Sequence, residues 1–366
     1  MRIFNLIFSI KTDQFLILLA VRPPHSLLIL IKKHYLCKLL QMQKEMNLQL
    51  VISNQTNPHL NVAVENYLLN EPLTRTVTLY LWKNYRTVVV GRNQNPFAEC
   101  DVALLLQDGG YVMRRSTGGG AVYHDSGNVN FSFIASHDEY DVIKQFSVLQ
   151  QAVAAYGLHA EISGRNDVLC DGRKFSGNAF NKGKFRHLHH GTILIDGNIN
   201  DLQRYLKVKP SKLQKHGVQS VRSRVVNLAE LAPVTAENII PNMISAFENI
   251  YQQKADIIDF DILTRLPAVN ELYRHYSSDE WIWDKWKNFK AQKTAVFPWG
   301  EIELSMDVDE QNGIIRQVTI ASDSLQPDAI AYAQTLLTKA SIHHAPVRKE
   351  DVKYPEIIND ILSLVY

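Results

Sequence analysis

The chain has 366 residues, of which 46% are hydrophobic and 21% are charged, a composition that excludes a disordered or fibrous protein. The length suits one domain of about 200–250 residues with a smaller second domain. Three cysteines without a CxxC pair argue against a disulfide framework or a structural zinc site, and they favour a reducing compartment.

The formal net charge is +2, but it is unevenly distributed along the chain. Residues 1–45 contain seven basic and two acidic residues, which leaves 32 basic and 35 acidic residues in 46–366. Because this body is slightly acidic and has no basic stripe with interleaved aromatic residues, nucleic acid is not expected as a partner.

Residues 1–45 form a leader whose status the sequence leaves open. Its two apolar runs are separated by Pro23 and Pro24 and are too short to span a bilayer, so stable membrane association is not expected. The leader is interpreted as a spurious start, with translation beginning at Met42 or Met46, as an organellar transit peptide, or as a membrane-associated segment.

The body alternates short strands with helices in an irregular order. Hydrophobic alternation and β-branched runs predict strands, in chain order, at 48–52, 77–82, 87–90, 111–115, 128–134, 159–162, 167–170, 174–176 and 191–195. Helical periodicity predicts helices at 60–69, 102–107, 140–156, 202–206 and 236–253. The second and third strands are predicted to form a hairpin. The pattern favours an α+β fold, a mixed β-sheet with packed helices, over a doubly wound parallel sheet.

A change of composition near residue 290 predicts a second, small α+β domain. Its predicted strands are 295–297, 301–306 and 315–320, and its predicted helices are 327–337 and 355–365. The chain is therefore divided into the leader 1–45, a main domain 46–288 and a C-terminal domain 289–366.

The segment 114–125 (RRSTGGGAVYHD) is the first that suggests chemistry. Its three consecutive glycines let the backbone approach a ligand closely, and exposed amides there can hold phosphate oxygens. Arg114 and Arg115 supply charge that does not titrate. The segment is neither a P-loop nor a dinucleotide fingerprint, and a glycine-rich hairpin with two solvated arginines is the alternative interpretation.

A second segment contains Asn166, Asp167 and Lys174. The first two are hard oxygen donors at the start of a strand, which suits a Mg²⁺ ion that bridges nucleotide phosphates. Small residues after Lys174 leave room for a ligand beside it. An Asp-Gly hairpin turn with a solvated lysine is the alternative.

The third segment, 187–195 (HLHHGTILI), carries three histidines in four positions. No further donors at suitable spacing accompany them, so a metal site is not expected. A loop that enters a buried strand, with Gly191 allowing close approach, fits better. A fourth segment, 217–228, is either a polar loop over a site or a basic surface turn.

Nucleophilic catalysis has only weak candidates. No GxSxG elbow is present. Cys170, with the downstream histidines, could be a nucleophile, but a small buried hydrophobe is the commoner role of a free cysteine, and the same holds for Cys100.

Six segments in this order resemble the lipoate–protein ligase family, and the resemblance runs from about residue 48 to the C-terminus. The segments are 91–100, 114–125, 163–167, 174–179, 189–192 and 221–228. The resemblance implies a core like those of biotin protein ligases and class II aminoacyl-tRNA synthetases, with a C-terminal accessory domain. It also implies a two-step reaction in which ATP activates lipoate to lipoyl-adenylate, and the lipoyl group then passes to a lysine of an acceptor.

The implied acceptors are apo lipoyl domains of 2-oxoacid dehydrogenase E2 subunits and glycine cleavage H protein. The cysteine content favours a cytoplasmic location, or a mitochondrial one if the leader is a transit peptide. The alternatives are a lipoyl or octanoyl transferase without ATP activation, and a non-catalytic module that binds a nucleotide or a lipoyl domain.

The family's functional residues map onto this sequence as follows. Lys174 is the expected catalytic residue, and Asn166 and Asp167 are the expected Mg²⁺-associated pair. The expected nucleotide- and lipoate-binding residues are Arg114, Arg115, Gly118, Gly119, Gly120, Ala121, Val122, Tyr123, Lys174, His190 and Gly191. The candidates for an apolar tunnel around the lipoyl tail are Val122, Phe131, Phe133 and Ala179.

Overall fold

The computed structural model describes residues 46–164, 166–207, 225–283, 291–309, 314–342, 345–348 and 352–366. The predicted leader, most of the predicted loop 217–228, and the predicted boundary between residues 288 and 289 lie outside the described residues. In the part of the chain that the structure describes, no helix is long and apolar enough to cross a membrane.

The described strands form three sheets. In chain order they are β1 Asn47–Ile52, β2 Thr76–Trp82, β3 Thr87–Val90, β4 Tyr111–Arg114, β5 Val122–His124, β6 Asn128–Ser136, β7 Ala160–Ser163, β8 Asp167–Cys170, β9 Arg173–Lys182, β10 Arg186–Leu194, β11 Asp256–Ile258, β12 Ala291–Phe297, β13 Gly300–Val308 and β14 Ile315–Ser322. The largest sheet has the strand order β11-β1-β2-β6-β10-β9-β8-β7. Its β11–β1 and β1–β2 pairs are parallel and the others are antiparallel, so the prediction of a mixed sheet is confirmed.

The two smaller sheets have three strands each. The order β4-β3-β5 joins a parallel and an antiparallel pair, and the order β12-β13-β14 is antiparallel throughout. The predicted hairpin between the second and third strands is wrong, because β2 lies inside the large sheet while β3 is the central strand of the second one. The histidines of 187–190 lie within β10, not in a loop before it.

The described α-helices are α1 Pro58–Asn70, α2 Pro96–Glu99, α3 Val102–Gln107, α4 Val142–Ala154, α5 Ile199–Tyr205, α6 Ala236–Tyr251, α7 Phe260–Thr264, α8 Pro267–Tyr276, α9 Asp279–Ile282, α10 Pro327–Leu337 and α11 Pro355–Leu362. Helix α1 starts where the side chain of Asn57 accepts hydrogen bonds from the amides of His59 and Leu60, with Pro58 at a position that needs no donor. The sequence did not predict the short helices α7, α8 and α9.

The large sheet separates two apolar cores. On one face, Phe131 and Phe133 of β6 pack with residues of α4 and α6, including Leu149 and Phe247. On the other face, Ile134 of β6 packs with residues of α1, of β2 and of the second sheet. Successive side chains of a strand point to opposite faces, so β6 and its neighbour β10 contribute to both environments.

The C-terminal part of the described chain has its own core. The sheet β12-β13-β14 packs on α10 and α11, with Leu304, Ile320, Ile330 and Ile358 almost fully buried among them. The small C-terminal sheet domain expected from the sequence is therefore confirmed as an element of the fold.

Candidate active site

A cavity of about 390 Å³ lies on the α1 face of the large sheet. Its floor is a row of residues that crosses five strands: Trp82 of β2, Asn130 of β6, Thr192 of β10, Gly177 of β9 and Asp167 of β8. Trp82 pairs with Asn130, Asn130 with Thr192, and Gly177 with Asp167. The amide of Gly177 donates to Thr192 Oγ1 at 3.2 Å, which links the two halves of the row.

Elements from the rest of the molecule form the walls of the cavity. The lining includes Val62 and Glu65 of α1, Val89 and Met113 of the second sheet, His124, the glycine segment from Gly119 to Val122, Lys174, His190, and Asp323 and Leu325 after β14. Most of the residues predicted to contact the nucleotide and lipoate line the cavity: Arg115, Gly119, Gly120, Ala121, Val122, Lys174, His190 and Gly191. The predicted Mg²⁺-associated pair, Asn166 and Asp167, lines it as well.

Lys174 lies at the β8 end of the floor and pairs with Asp167. Its Nζ is 2.7 Å from Asp167 Oδ1, and about a third of each side chain is exposed (34% and 38%). A Cβ at Gly177 would lie 3.0 Å from Lys174 Nζ, so glycine leaves the lysine room to move. The amide of Val226 donates to the backbone carbonyl of Lys174, which fixes the strand beneath this side chain. Lys174 is therefore a cation on the cavity wall, not a solvated turn residue.

Arg115 holds the glycine segment in shape. Its guanidinium donates to the carbonyls of Gly118 at 2.7 Å and Gly120 at 2.8 Å, and its Nε donates to Thr117 Oγ1 at 3.1 Å. Burial lowers the pKa of Arg115 to about 10, so it keeps its charge at neutral pH. A fixed positive charge thus lies directly behind the loop whose backbone lines the cavity.

Arg114, in contrast, does not line the cavity. Its side chain is 2% exposed and donates to backbone carbonyls of Gly91, Arg92 and Gln94 on one side and of Ile282 on the other. Burial, together with the nearby charge of Arg115, lowers its pKa to about 10. These carbonyls hold the guanidinium outside the cavity lining, so the structure does not bring Arg114 to the expected nucleotide contact, which stays a prediction.

Gly118 and Tyr123 are also outside the cavity lining. A Cβ at Gly118 would come within 2.0 Å of the carbonyl oxygen of Ser324, and the amide of Gly119 donates to that same oxygen at 3.0 Å. Gly118 therefore serves a close approach between the glycine segment and the chain after β14. Tyr123 is buried against Tyr205, with ring centroids 5.5 Å apart.

His190 belongs to a buried chain of hydrogen bonds along the cavity wall. Its Nδ1 is 2.8 Å from Glu65 Oε1, and its Nε2 is 2.8 Å from Thr117 Oγ1. Glu65 also accepts from Ser132 Oγ at 2.6 Å. The network fixes the imidazole of His190 and links α1, β6 and β10 to the glycine segment through Thr117 and Arg115.

The sequence analysis missed several lining residues. Trp82, Asn130 and Thr192 lie on predicted strands, but only the register between strands shows that they form one row. Glu65 carries no local signal, because a single acidic residue in a helix is usually solvated. Two of the predicted tunnel residues, Phe131 and Phe133, belong to the core on the opposite face of the sheet, so that prediction is corrected.

The described cysteines do not form a nucleophilic site. Cys100 and Cys170 are free thiols, both are buried, and neither lines the cavity. Burial raises the pKa of Cys100 to about 12 and also raises that of Cys170, which disfavours the reactive thiolate. A cysteine acyl-enzyme is therefore not supported by this geometry.

These features define a class of protein: an α+β fold with a cavity that is lined by Lys174, its partner Asp167 and the glycine segment. Two family models match the chain, one described as the lipoyl protein ligase A/B catalytic domain over residues 57–248 and one as the bacterial lipoate protein ligase C-terminus over residues 287–353. The chain belongs to the lipoate–protein ligase family.

Individual relatives agree with this assignment. The chain is 37% identical over 290 residues to lipoate-protein ligase A of Bdellovibrio bacteriovorus, covering 77% of this chain and 85% of that protein. It is 36% identical over 316 residues to lipoate-protein ligase A of Psychrobacter cryohalolentis, covering 84% and 91%.

Solved structures are similar as well. P. falciparum LipL1 in complex with lipoate matches with a TM-score of 0.73 at 30% identity, covering 86% of this chain and 98% of that one. A lipoate-protein ligase A bound with ATP matches at 0.54 and 25% identity, covering 64% and 98%. An archaeal bipartite lipoate protein ligase, solved in a study with its E2 lipoyl domain from Thermoplasma acidophilum, matches at 0.55 and 26% identity, covering 65% and 96%.

Proposed function

We propose that this lipoate–protein ligase activates lipoate with ATP at the Lys174 end of the cavity and transfers the lipoyl group to a lysine of an acceptor domain. The observation that carries the proposal is the floor of the cavity, which runs from Asp167, beside the cation of Lys174, across three further strands to Asn130. At a strand spacing of about 4.8 Å these two residues are about 14 Å apart, which suits an eight-carbon acid with a terminal ring.

The first step is attack of a lipoate carboxylate oxygen on the α-phosphorus of ATP. A new P–O bond forms, the bond to the bridging oxygen breaks, and pyrophosphate leaves. Negative charge grows on the phosphoryl oxygens, so the site needs fixed cations and amide donors rather than a nucleophile. Lys174 supplies a cation at the cavity wall, and Arg115 supplies a second behind the glycine segment.

Asn166 and Asp167 fit a Mg²⁺ ion that is shared with the nucleotide. Asn166 Nδ2 donates to the carbonyl of Asn178, so its amide oxygen is the group left to coordinate a cation, and Asp167 adds a carboxylate. Among the described residues no three His, Cys, Asp or Glu side chains could hold a metal alone. Mg²⁺ is typically bound by one or two carboxylates together with substrate phosphates. A Mg²⁺ ion held by Asn166 and Asp167 would neutralise the negative charge of the leaving pyrophosphate.

The second step is transfer. The amine of the acceptor lysine attacks the acyl carbon, the C–O bond to the phosphate of AMP breaks, and AMP leaves while the amine loses its proton. Lys174 beside the acyl carbonyl would stabilise the oxyanion that develops there. The acceptor brings its own nucleophile, which agrees with the buried, protonated state favoured for Cys100 and Cys170.

The proposed acceptors are lipoyl domains of 2-oxoacid dehydrogenase E2 subunits, in line with the E2 lipoyl domain studied with the archaeal ligase. Glycine cleavage H protein is proposed as a second acceptor on the family resemblance alone. A reducing, cytoplasmic location is also proposed, and the free thiols of Cys100 and Cys170 are compatible with it.

The test is incubation of the protein with ATP, Mg²⁺, lipoate and an apo lipoyl domain. Lipoate-dependent release of pyrophosphate and a mass increase of the domain by one lipoyl group are expected. Omission of ATP should abolish both products. Modification that persists without ATP, or the absence of both products in the complete mixture, would contradict the proposal.

A further inference from the structure

His189 is a buried polar residue that the proposed reaction does not use. Its side chain on β10 is 0% exposed, does not line the cavity and lies among phenylalanine rings, of which Phe146 and Phe180 have centroids 4.7 Å away. Burying a polar group in such surroundings is costly unless its polar atoms find partners. The partners of His189 therefore indicate its role.

Asn178 on β9 connects His189 to the border of the cavity. Its Oδ1 is 2.9 Å from His189 Nε2, and Asn178 itself belongs to the cavity lining. Gly191, which pairs with Asn178 on the neighbouring strand, leaves room for this contact, because a Cβ there would lie 2.6 Å from the same Oδ1. The glycine thus serves the hydrogen bond between His189 and Asn178.

Asn178 also holds the turn that carries the proposed metal ligands. Its backbone amide and its Nδ2 donate to the carbonyl of Asn166 at 2.8 and 3.1 Å, and Asn166 Nδ2 donates to the carbonyl of Asn178 at 3.1 Å. These bonds fix the residue that precedes Asp167 and leave the amide oxygen of Asn166 for a cation. The orientation of the Asn178 amide therefore determines how this turn is held.

The direction of these bonds places the proton of His189 on Nε2. The carbonyl of Asn166 only accepts, so the Nδ2 end of the Asn178 amide faces it and the Oδ1 end faces His189. Oδ1 also only accepts, so Nε2 donates to it. Burial lowers the pKa of His189 to about 3, so the ring is neutral at neutral pH and its Nδ1 is an acceptor.

Gln145 of α4 can supply the donor that Nδ1 needs. Its amide oxygen is 3.0 Å from Nδ1, and in the described part of the chain neither its Nε2 nor the nearby hydroxyl of Tyr251 has a partner. A half-turn of this amide exchanges its two ends, which gives Nδ1 a donor and Tyr251 an acceptor. One arrangement thus pairs all three groups and keeps the proton of His189 on Nε2.

Without the donor of His189, the Asn178 amide loses its fixed orientation. Asn178 is 4% exposed, so its Oδ1 would be left buried and unpaired, at a cost of about 1–3 kcal/mol. Rotation of the amide relieves that cost but breaks the bond from Nδ2 to Asn166. A partly exposed turn at the cavity therefore depends on a donor in the core.

We infer that His189 is a positioning residue, which through Asn178 holds Asn166 and Asp167 in the geometry that receives the metal ion and the phosphates of ATP. The inference rests on the proposed function, which places Mg²⁺ at this turn. Removing a residue that supports metal ligands in this way typically lowers metal affinity about 10- to 100-fold.

The test compares the binding of ATP with and without Mg²⁺. Dissociation constants are measured by calorimetry on the full-length protein, without lipoate, once in Mg²⁺ and once in EDTA. We expect Mg²⁺ to tighten ATP binding about tenfold in the wild type and about twofold or less in His189→Leu. The ratio of the two constants does not depend on the fraction of folded protein, so a destabilised variant still gives a readout.

Two further variants separate positioning from packing. His189→Gln can place its own Nε2 near the position of the ring Nε2, so it should recover most of the effect of Mg²⁺. Val153→Ala removes apolar volume from the same core without removing a hydrogen bond of a side chain. It should lower the free energy of unfolding and keep the full effect of Mg²⁺.

Nitrogen-15 NMR of the histidine rings tests the proton position directly. The ring of His189, assigned by the loss of its signals in His189→Gln, should be neutral with its proton on Nε2. A proton on Nδ1 would overturn the inference.

The outcome separates this inference from the proposed function. A wild type that gains nothing from Mg²⁺, an unchanged ratio in His189→Leu, or an equal loss in Val153→Ala would overturn the positioning role even if the enzyme releases pyrophosphate. A loss in His189→Leu that His189→Gln restores supports it. Such a result would stand even if pyrophosphate release failed, in which case the proposed reaction alone would be wrong.

Discussion

The two faces of the large sheet show how one pair of strands supports both a core and a binding site. His189 and His190 are neighbours on β10, but His189 lies among Phe131, Phe133, Phe146 and Phe180 in the α4–α6 core. His190 lies on the cavity wall, hydrogen-bonded to Glu65 and Thr117. The same alternation places the phenylalanines of β6 in the core and Asn130 and Ser132 on the other face.

The two faces differ in what their polar groups adjoin. On the core face, both ring nitrogens of His189 have partners, Gln145 at 3.0 Å and Asn178 at 2.9 Å. On the cavity face, both ring nitrogens of His190 also have partners, Glu65 and Thr117, while His124 Nε2 and Asn130 Nδ2 have none among the described residues. The core face also leaves Gln145 Nε2 and Tyr251 OH without a partner in the described part of the chain, so what separates the faces is that one borders a packed core and the other borders a cavity.

The largest expected effect is on the cavity face, at Lys174. Lys174→Ala should lower the rates of pyrophosphate release and of lipoyl transfer by about 100- to 1000-fold, because it removes the cation for both steps. The fold should remain intact, since the side chain is a third exposed and pairs only with Asp167. Single-turnover assays with lipoate and with preformed lipoyl-adenylate measure the two steps separately.

Lys182→Ala is the control, because Lys182 is an exposed lysine at the far end of the same strand. It should retain normal rates. A Lys174→Ala enzyme with near-normal rates in both assays would contradict the role of Lys174, and loss of one step alone would restrict that role to the affected step.

The second prediction concerns the network that supports the cavity face. Glu65→Leu should lower the free energy of unfolding by about 2 kcal/mol, because it leaves the buried donors of His190 and Ser132 without an acceptor. It should also raise the KM for lipoate, since His190 would no longer be held in place. Urea unfolding and steady-state kinetics measure the two effects.

Glu65→Gln is the matched variant, because its amide oxygen can still accept a hydrogen bond. It should recover most of the stability and of the lipoate affinity. If Glu65→Leu and the wild type unfold at the same urea concentration, the network does not stabilise this face.

The core face makes a pH-dependent contribution to stability through His189. Burial lowers the pKa of His189 to about 3, while its ordinary value is 6.5. The unfolded chain therefore binds the proton more readily, so stability is full above about pH 6.5 and is lost as the pH falls toward 3. The expected loss from this group is about 1 kcal/mol per pH unit in that window.

His189→Gln removes the titration while retaining a hydrogen-bonding side chain. Urea unfolding at pH 7, 6 and 5 should give a shallower decrease than in the wild type, with the remaining slope including the similar contribution of His124. His159→Gln, at a largely exposed surface histidine, should leave the slope unchanged. Equal slopes for His189→Gln and wild type would show that His189 is not a buried neutral group.

The sequence predicted the elements of this site better than their assembly. Lys174, Asp167 and most of the glycine segment line the cavity, and local spacing in the sequence carries their signal. Arg114 and Arg115 look alike in the sequence, yet one is enclosed by carbonyls from 91–94 and Ile282, and only the other lines the cavity. That difference arises from segments distant in sequence, which no local pattern reports.

Val122 and Ala179 line the cavity as predicted, but two of the four predicted tunnel residues do not, for a related reason. Phe131 and Phe133 are the apolar positions of β6, and apolar residues were expected around an apolar tail. The alternation of β6 is as predicted, but α4 and α6 pack on the side of the strand that carries the phenylalanines. Polar Asn130 therefore lines the cavity, and the apolar positions form the core.

The smallest effect is expected at Cys170, which tests whether alternation separates the faces on β8 as well. Asp167 begins this strand on the cavity wall, whereas Cys170 packs in the α4–α6 core with Val168. Cys170→Ser should change the rate of lipoyl transfer by less than about twofold and lower the free energy of unfolding by about 1–2 kcal/mol, because a hydroxyl is buried there. A transferase working through a cysteine acyl-enzyme requires the opposite, a stable protein without activity. Transfer assays and urea unfolding on the same preparation separate the two mechanisms, since burial raises the pKa of this thiol and leaves it protonated and away from the ligand.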